Sequence, residues 1–160
     1  MAEDVRGDAP PPVLDGSGLK VAVVIARFNS HVTLRLLDGT RRGLAGCGVA
    51  DDDISITWVP GAFEVPLAAR ALAAGVDAVI CLGCVIRGET AHFEHVAGQA
   101  AAGIMRVGLD TGKPVIFGVL TTEDLDQALA RSMPHPGAHN VGFEAAEAAV
   151  EMARITRPAR

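Results

Sequence analysis

Ala78-Val79-Ile80-Cys81-Leu82-Gly83-Cys84-Val85-Ile86 carries no charge, and Arg87-Gly88-Glu89-Thr90-Ala91-His92 follows it at once. A short, β-branched apolar run that does not alternate with polar residues reads as a strand buried on both faces, and the polar, glycine-bearing segment reads as the turn that leaves it. Working outward, comparable runs occur at residues 20–26, 54–59 and 114–120, with the strand of the quoted run placed at 78–84. Longer Ala/Leu-rich segments separate them. Ser30 can cap a helix running to Gly46, Pro66 suits a first turn of a helix that Gly75 ends, and a third helix is expected over 94–107. Thr122 can cap a fourth helix through Arg131, and Asn140 a last one to about residue 155. This alternation predicts a parallel sheet covered by helices on both faces.

In an open parallel sheet the ligand lies beyond the carboxyl ends of the strands. The segments expected to converge there are Arg27-Phe28-Asn29, Pro60-Gly61-Ala62-Phe63-Glu64, the 87–92 turn, and Thr121-Thr122. They hold two of the five phenylalanines, and loop aromatics inform on binding more than core aromatics do.

With 160 residues, 49% of them hydrophobic, the chain fits one domain, expected over 19–157. Residues 1–18, with Pro10-Pro11-Pro12 and little to bury, read as a flexible leader. The net charge of −5, with no basic cluster, argues against a nucleic-acid partner. No apolar stretch approaches the ~18 residues a membrane span needs, and the acidic start resembles no secretory signal, so a cytoplasmic location and no membrane partner are expected. The three cysteines do not form a disulfide framework. Cys81 and Cys84 make a C-x-x-C, but it lies inside a strand and lacks a second ligand pair, which favours packing over redox or zinc chemistry. Gly16-Ser17-Gly18 precedes a strand instead of following one, and Gly108-Leu109-Asp110-Thr111-Gly112-Lys113 has proline where a phosphate loop needs Ser or Thr. Neither a nucleotide cofactor nor a metal is expected.

Within 87–92, Gly88 and Thr90 suit an anion at a helix start, and His92 is the best general acid/base because an imidazole titrates near ~6.5. The alternative is a plain loop with Thr90 as cap and His92 facing solvent. His31, His95, His135 and His139 are weaker candidates. Glu64 at a helix start is either a functional carboxylate or a capping acid, and Arg131 at a helix end is favourable for structural reasons alone.

Taken together, Arg27-Phe28-Asn29, Trp58-Val59-Pro60-Gly61-Ala62-Phe63-Glu64, the run from Gly83 through Glu94, Phe117-Gly118-Val119-Leu120-Thr121-Thr122 and Gln127-Ala128-Leu129-Ala130-Arg131 resemble the 6,7-dimethyl-8-ribityllumazine synthases. The resemblance implies a flavodoxin-like α/β three-layer sandwich with a four-stranded parallel sheet. It also implies a homo-oligomer, a pentamer or a multiple of pentamers, whose sites are shared by neighbouring subunits. The implied reaction joins 5-amino-6-(D-ribitylamino)uracil to 3,4-dihydroxy-2-butanone 4-phosphate without a cofactor. By that resemblance Phe28 stacks on the pyrimidine with Asn29 beside it, Ala62, Phe63 and Glu64 hold the ribityl chain, Val85 and Ile86 contact the ring by backbone groups, and Gly61 and Cys84 belong to the same substrate-binding set. Gly88, Glu89 and Thr90 receive the phosphate with Arg131 of an adjacent subunit, Phe117 of that subunit closes the slot, and His92 shuttles protons.

Two positions depart from the family pattern. Asn140-Val141-Gly142 stands where a lysine is usual in the middle position, with His139 and Lys113 as candidate substitutes, and Cys84 replaces threonine or another small residue. The missing lysine keeps a second reading open, a catalytically weak paralogue that binds a flavin or lumazine or forms a shell.

Overall fold

The computed structural model describes residues 7–157. Four strands, β1 (Val21–Ala26), β2 (Ile54–Val59), β3 (Ala78–Ile86) and β4 (Val115–Thr122), form one parallel sheet in the order β2-β1-β3-β4. The helices are α1 (Ser30–Gly46), α2 (Val65–Ala73), α3 (His92–Thr111), α4 (Leu125–Ala130) and α5 (Val141–Thr156). Short 3₁₀ turns at Asp51–Asp53 and Ala62–Glu64 lead into β2 and α2. The expected α/β architecture, a parallel sheet between two helical layers, is what the chain adopts.

Strand parity sorts the core. Val21, Val23 and Ile25 of β1 and Ala78, Ile80, Leu82 and Cys84 of β3 point to the face covered by α1 and α5. Ala22, Val24 and Ala26, with Val79 and Cys81, point to the face covered by α2 and α3. Because successive strand residues alternate faces, Cys81 and Cys84 fall on opposite sides of the sheet. Burial pushes the Cys81 thiol up to about 12 and the Cys84 thiol up to about 11, so both stay protonated at neutral pH. The pair is packing.

α1 and α5 approach closely through small residues. A Cβ on Gly142 would lie 2.0 Å from the Leu36 carbonyl oxygen, and Thr40 Oγ1 donates to the Gly142 carbonyl at 3.0 Å. Asn140 caps α5 by accepting the Phe143 N–H at 3.1 Å, while its Nδ2 donates to the carbonyls of Arg35 and Met133.

Several expected boundaries move. β3 and β4 each continue two residues further toward the site, and α3 extends beyond 94–107 at both ends, starting at His92. The residues once compared with a phosphate loop close α3, with Gly112 in the left-handed region at φ 68. Thr122 ends β4 and does not cap α4; Asp124 does, accepting the Gln127 N–H at 2.8 Å. Asn29, not Ser30, occupies the cap position of α1. Of the expected leader, residues 1–6 lie outside the described residues. Its end is tied down: Gly16 N–H donates to Cys47 O at 2.7 Å, and Arg154 donates to the Asp15 and Ser17 carbonyls at 2.6 and 2.7 Å.

Candidate functional site

Between β1 and β3 the chain connections diverge, since β1 leads to β2 on one side and β2 crosses back to β3 on the other. Such a reversal leaves a crevice at the carboxyl ends of the strands. A cavity of about 640 Å³ occupies it.

Asn29 sets the shape of this end of the sheet. It is the one non-glycine residue with positive φ among the described residues, at φ 59 and ψ 45, a conformation asparagine tolerates better than most. Its Nδ2 donates to the Cys84 carbonyl at 2.9 Å and so ties the end of β1 to β3. The Phe28 N–H donates to Pro60 O at 3.2 Å, which joins the β1 and β2 exits as well. Phe28 is left 73% exposed and Phe63 58% exposed, and both line the cavity.

Glu64 closes the 3₁₀ turn that feeds α2, and its carboxylate makes no capping hydrogen bond. The capping role is therefore not taken up, and the carboxylate faces the cavity. Thr90 does act locally, its Oγ1 accepting the His92 N–H at 3.3 Å. His92 opens α3 and is exposed at the cavity wall. A Cβ on Gly88 would meet nothing within 4 Å, so the backbone there borders open space. The Cys84 thiol, held neutral by burial, offers no nucleophile at neutral pH.

Of the residues expected from sequence, Phe28, Asn29, Gly61, Ala62, Phe63, Glu64, Cys84, Val85, Ile86, Gly88, Thr90 and His92 line this one cavity. Glu89, Phe117 and Arg131 do not. Thr121 and Thr122, expected to converge here, also lie outside, because β4 is the sheet edge beyond β3 and its exit is displaced from the β1/β3 crevice. Phe117 is 44% exposed on β4, and Arg131 follows α4 with Nη1 donating to the Gln127 carbonyl at 2.9 Å. Val141 sits beside Arg131, its N–H donating to the Arg131 carbonyl at 2.9 Å. Lys113 is no substitute for the missing lysine: its Nζ donates to Val76 O at 2.8 Å, at the amino-terminal end of the sheet. His139 pairs with Glu144 at 3.2 Å near the start of α5.

The cavity also holds Pro60, from the segment expected to converge here, His95, expected only as a weaker candidate, and Phe93 and Val96, which sequence reasoning did not assign. The signal was available for two of them. Once His92 is helical, residues three and four positions on share its face, and these are His95 and Val96.

With this geometry in hand, the family model described as 6,7-dimethyl-8-ribityllumazine synthase matches residues 18–157 of the chain.

Proposed function

The chain belongs to the 6,7-dimethyl-8-ribityllumazine synthase family, enzymes of riboflavin biosynthesis, and from this premise we propose that it condenses 5-amino-6-(D-ribitylamino)uracil with 3,4-dihydroxy-2-butanone 4-phosphate to 6,7-dimethyl-8-ribityllumazine, releasing phosphate and water. The observation that carries the reading is the joint lining of one cavity by Phe28, Glu64, Gly88, Thr90 and His92.

In this mechanism the exposed Phe28 ring stacks on the pyrimidine, and the Glu64 carboxylate accepts hydrogen bonds from ribityl hydroxyls. Gly88 N–H and Thr90 receive the phosphate at the start of α3, where the helix dipole favours an anion. The primary amine of the pyrimidine attacks the ketone and loses water to give an imine. Phosphate then leaves, and the ribityl-bearing nitrogen closes the ring with loss of a second water. Each step moves a proton, and His92 at the cavity wall is the proposed shuttle, with ~10²–10⁴-fold of the rate resting on it. Holding both substrates together contributes further.

Phe117 and Arg131 are proposed to serve the cavity of a neighbouring copy in a pentamer or a multiple of pentamers. Exposed Leu67, Met105 and Leu109 on α2 and α3 support assembly, since apolar side chains of this size gain from being covered. A cytoplasmic location is proposed with it; no described helix is long and apolar enough to cross a membrane.

The test is lumazine formation, followed by absorbance, above the uncatalysed background. Val141 favours one alternative, a ligand-binding or shell-forming paralogue, because it leaves an apolar side chain beside Arg131. Tight flavin binding by a folded protein that gives only background rates selects that alternative.

A further inference from the structure

Arg87 leaves β3 at the mouth of the cavity, in the segment expected to receive an anion, yet it does not line the cavity. Its guanidinium is already engaged. Nη1 bonds to the Glu94 carboxylate in the first turn of α3, and Nε donates to Glu123 at the end of β4 at 2.6 Å. Its charged carbon also stands 4.4 Å from the centre of the Phe93 ring, and Phe93 does line the cavity. Two carboxylates around one guanidinium leave a net negative cluster, a poor receptor for phosphate.

We propose that Arg87 is a positioning residue: by clamping Glu94 and Glu123 together it fixes the first turn of α3 against the exit of β4, and thereby holds His92 and Phe93 at the cavity wall. The inference rests on the function proposed above. The second anchor of the clamp is itself fixed, because the Glu123 N–H donates to Gln127 Oε1 at 2.9 Å. The backbone of Arg87 is held as well, its N–H donating to Thr122 O at 2.9 Å, and its side chain adds an ion-pair link between the first turn of α3 and the exit of β4. Consistently, the hydrogen bond from Arg87 holds the Glu94 carboxyl below its ordinary range.

The side chains of this cluster are 38%, 54% and 59% exposed, and ion pairs at such sites add little to global stability. Clamp and scaffold are therefore separable. The experiment compares Arg87→Gln, Arg87→Lys and Glu123→Gln with the unaltered full chain by steady-state kinetics in both substrates, melting temperature, and hydrogen exchange of the backbone amides of residues 92–95.

For Arg87→Gln the expected result is a kcat lowered about tenfold with KM for the butanone phosphate within about twofold. Exchange at residues 92–95 becomes several-fold faster while the melting temperature barely moves. Arg87→Lys recovers part of the loss, and Glu123→Gln, outside the cavity, repeats it more weakly. A raised KM for the phosphate substrate with kcat retained would make Arg87 a phosphate ligand and overturn the proposal. Unchanged kcat and exchange in Arg87→Gln and Glu123→Gln would overturn it too, and Glu123→Gln decides if Arg87→Gln does not fold. Should the unaltered protein form no lumazine, the proposed function fails, while amide exchange still decides whether the clamp exists.

Discussion

Two regions of the molecule carry the residues that the family resemblance singles out, and they differ in kind. The exits of β1, β2 and β3 and the start of α3 enclose a cavity with two exposed phenylalanines, a glutamate that makes no capping hydrogen bond and two histidines. The neighbouring region, with Phe117 on β4, Arg131 after α4 and Val141 opening α5, is a surface that contributes nothing to that cavity. One region is a cavity within a single chain. The other has residues that the resemblance singles out but no cavity of its own, as expected of a surface proposed to serve another copy.

The sharpest way to break this contrast is at His92. Replacing it with alanine is expected to lower kcat by ~10²–10⁴-fold, and an undiminished kcat would remove it from the mechanism. Glu64→Ala comes next. Loss of hydrogen bonds to a charged acceptor should weaken binding of the ribityl substrate by about 10- to 100-fold, read as KM, with a smaller change in kcat.

Arg131→Ala probes the second region and should raise KM for the butanone phosphate about tenfold. The decisive version mixes His92→Ala with Arg131→Ala protein under conditions that exchange subunits. Activity above that of either variant would mean that the two regions meet between copies; no gain, with mixing shown by native mass, would separate them. Val141→Lys should sharpen the comparison by a few-fold gain in turnover or affinity, about 1 kcal/mol or less, as an ammonium replaces an apolar side chain near the proposed partner cavity. An unchanged enzyme would show that the position is indifferent here.

The smallest effect concerns the sheet itself. Well below pH 9.0 the Cys81 and Cys84 thiols are protonated in both folded and unfolded chains. As pH rises from there toward about 11 to 12, the unfolded chain releases protons that the fold retains, so stability must fall across that window. Urea midpoints measured at pH 8 and pH 10 should differ in that direction, and Cys84→Ser should reduce the difference.

How much of this was legible in the sequence depends on the range of the interaction involved. The four strands and five helices followed from local apolar patterning, and their errors were confined to ends. Those errors share a cause: a strand grows when a neighbour offers backbone partners, as β4 does for Val85 and Ile86, and a helix starts where the preceding turn permits, as Thr90 does for His92. The cavity residues in the β1, β2 and β3 exits were anticipated because parallel sheets place ligands there. Phe93 and Val96 were missed, and His95 ranked below His92, because their membership depends on where α3 begins.

The sequence by itself determined the layered architecture, the family and most of the cavity lining, since each rests on residue type and spacing along the chain. Tertiary structure decided what each polar group is free to do. Arg87 and Glu64 look equally available as letters, but one guanidinium is taken by two carboxylates from α3 and the exit of β4, and one carboxylate at the start of α2 makes no capping hydrogen bond. Lys113 and Val141 are separated the same way, by the end of the sheet at which each lies. Hydrogen-bond and ion-pair capacity is consumed over a few ångströms, and only the folded chain sets which groups come that close.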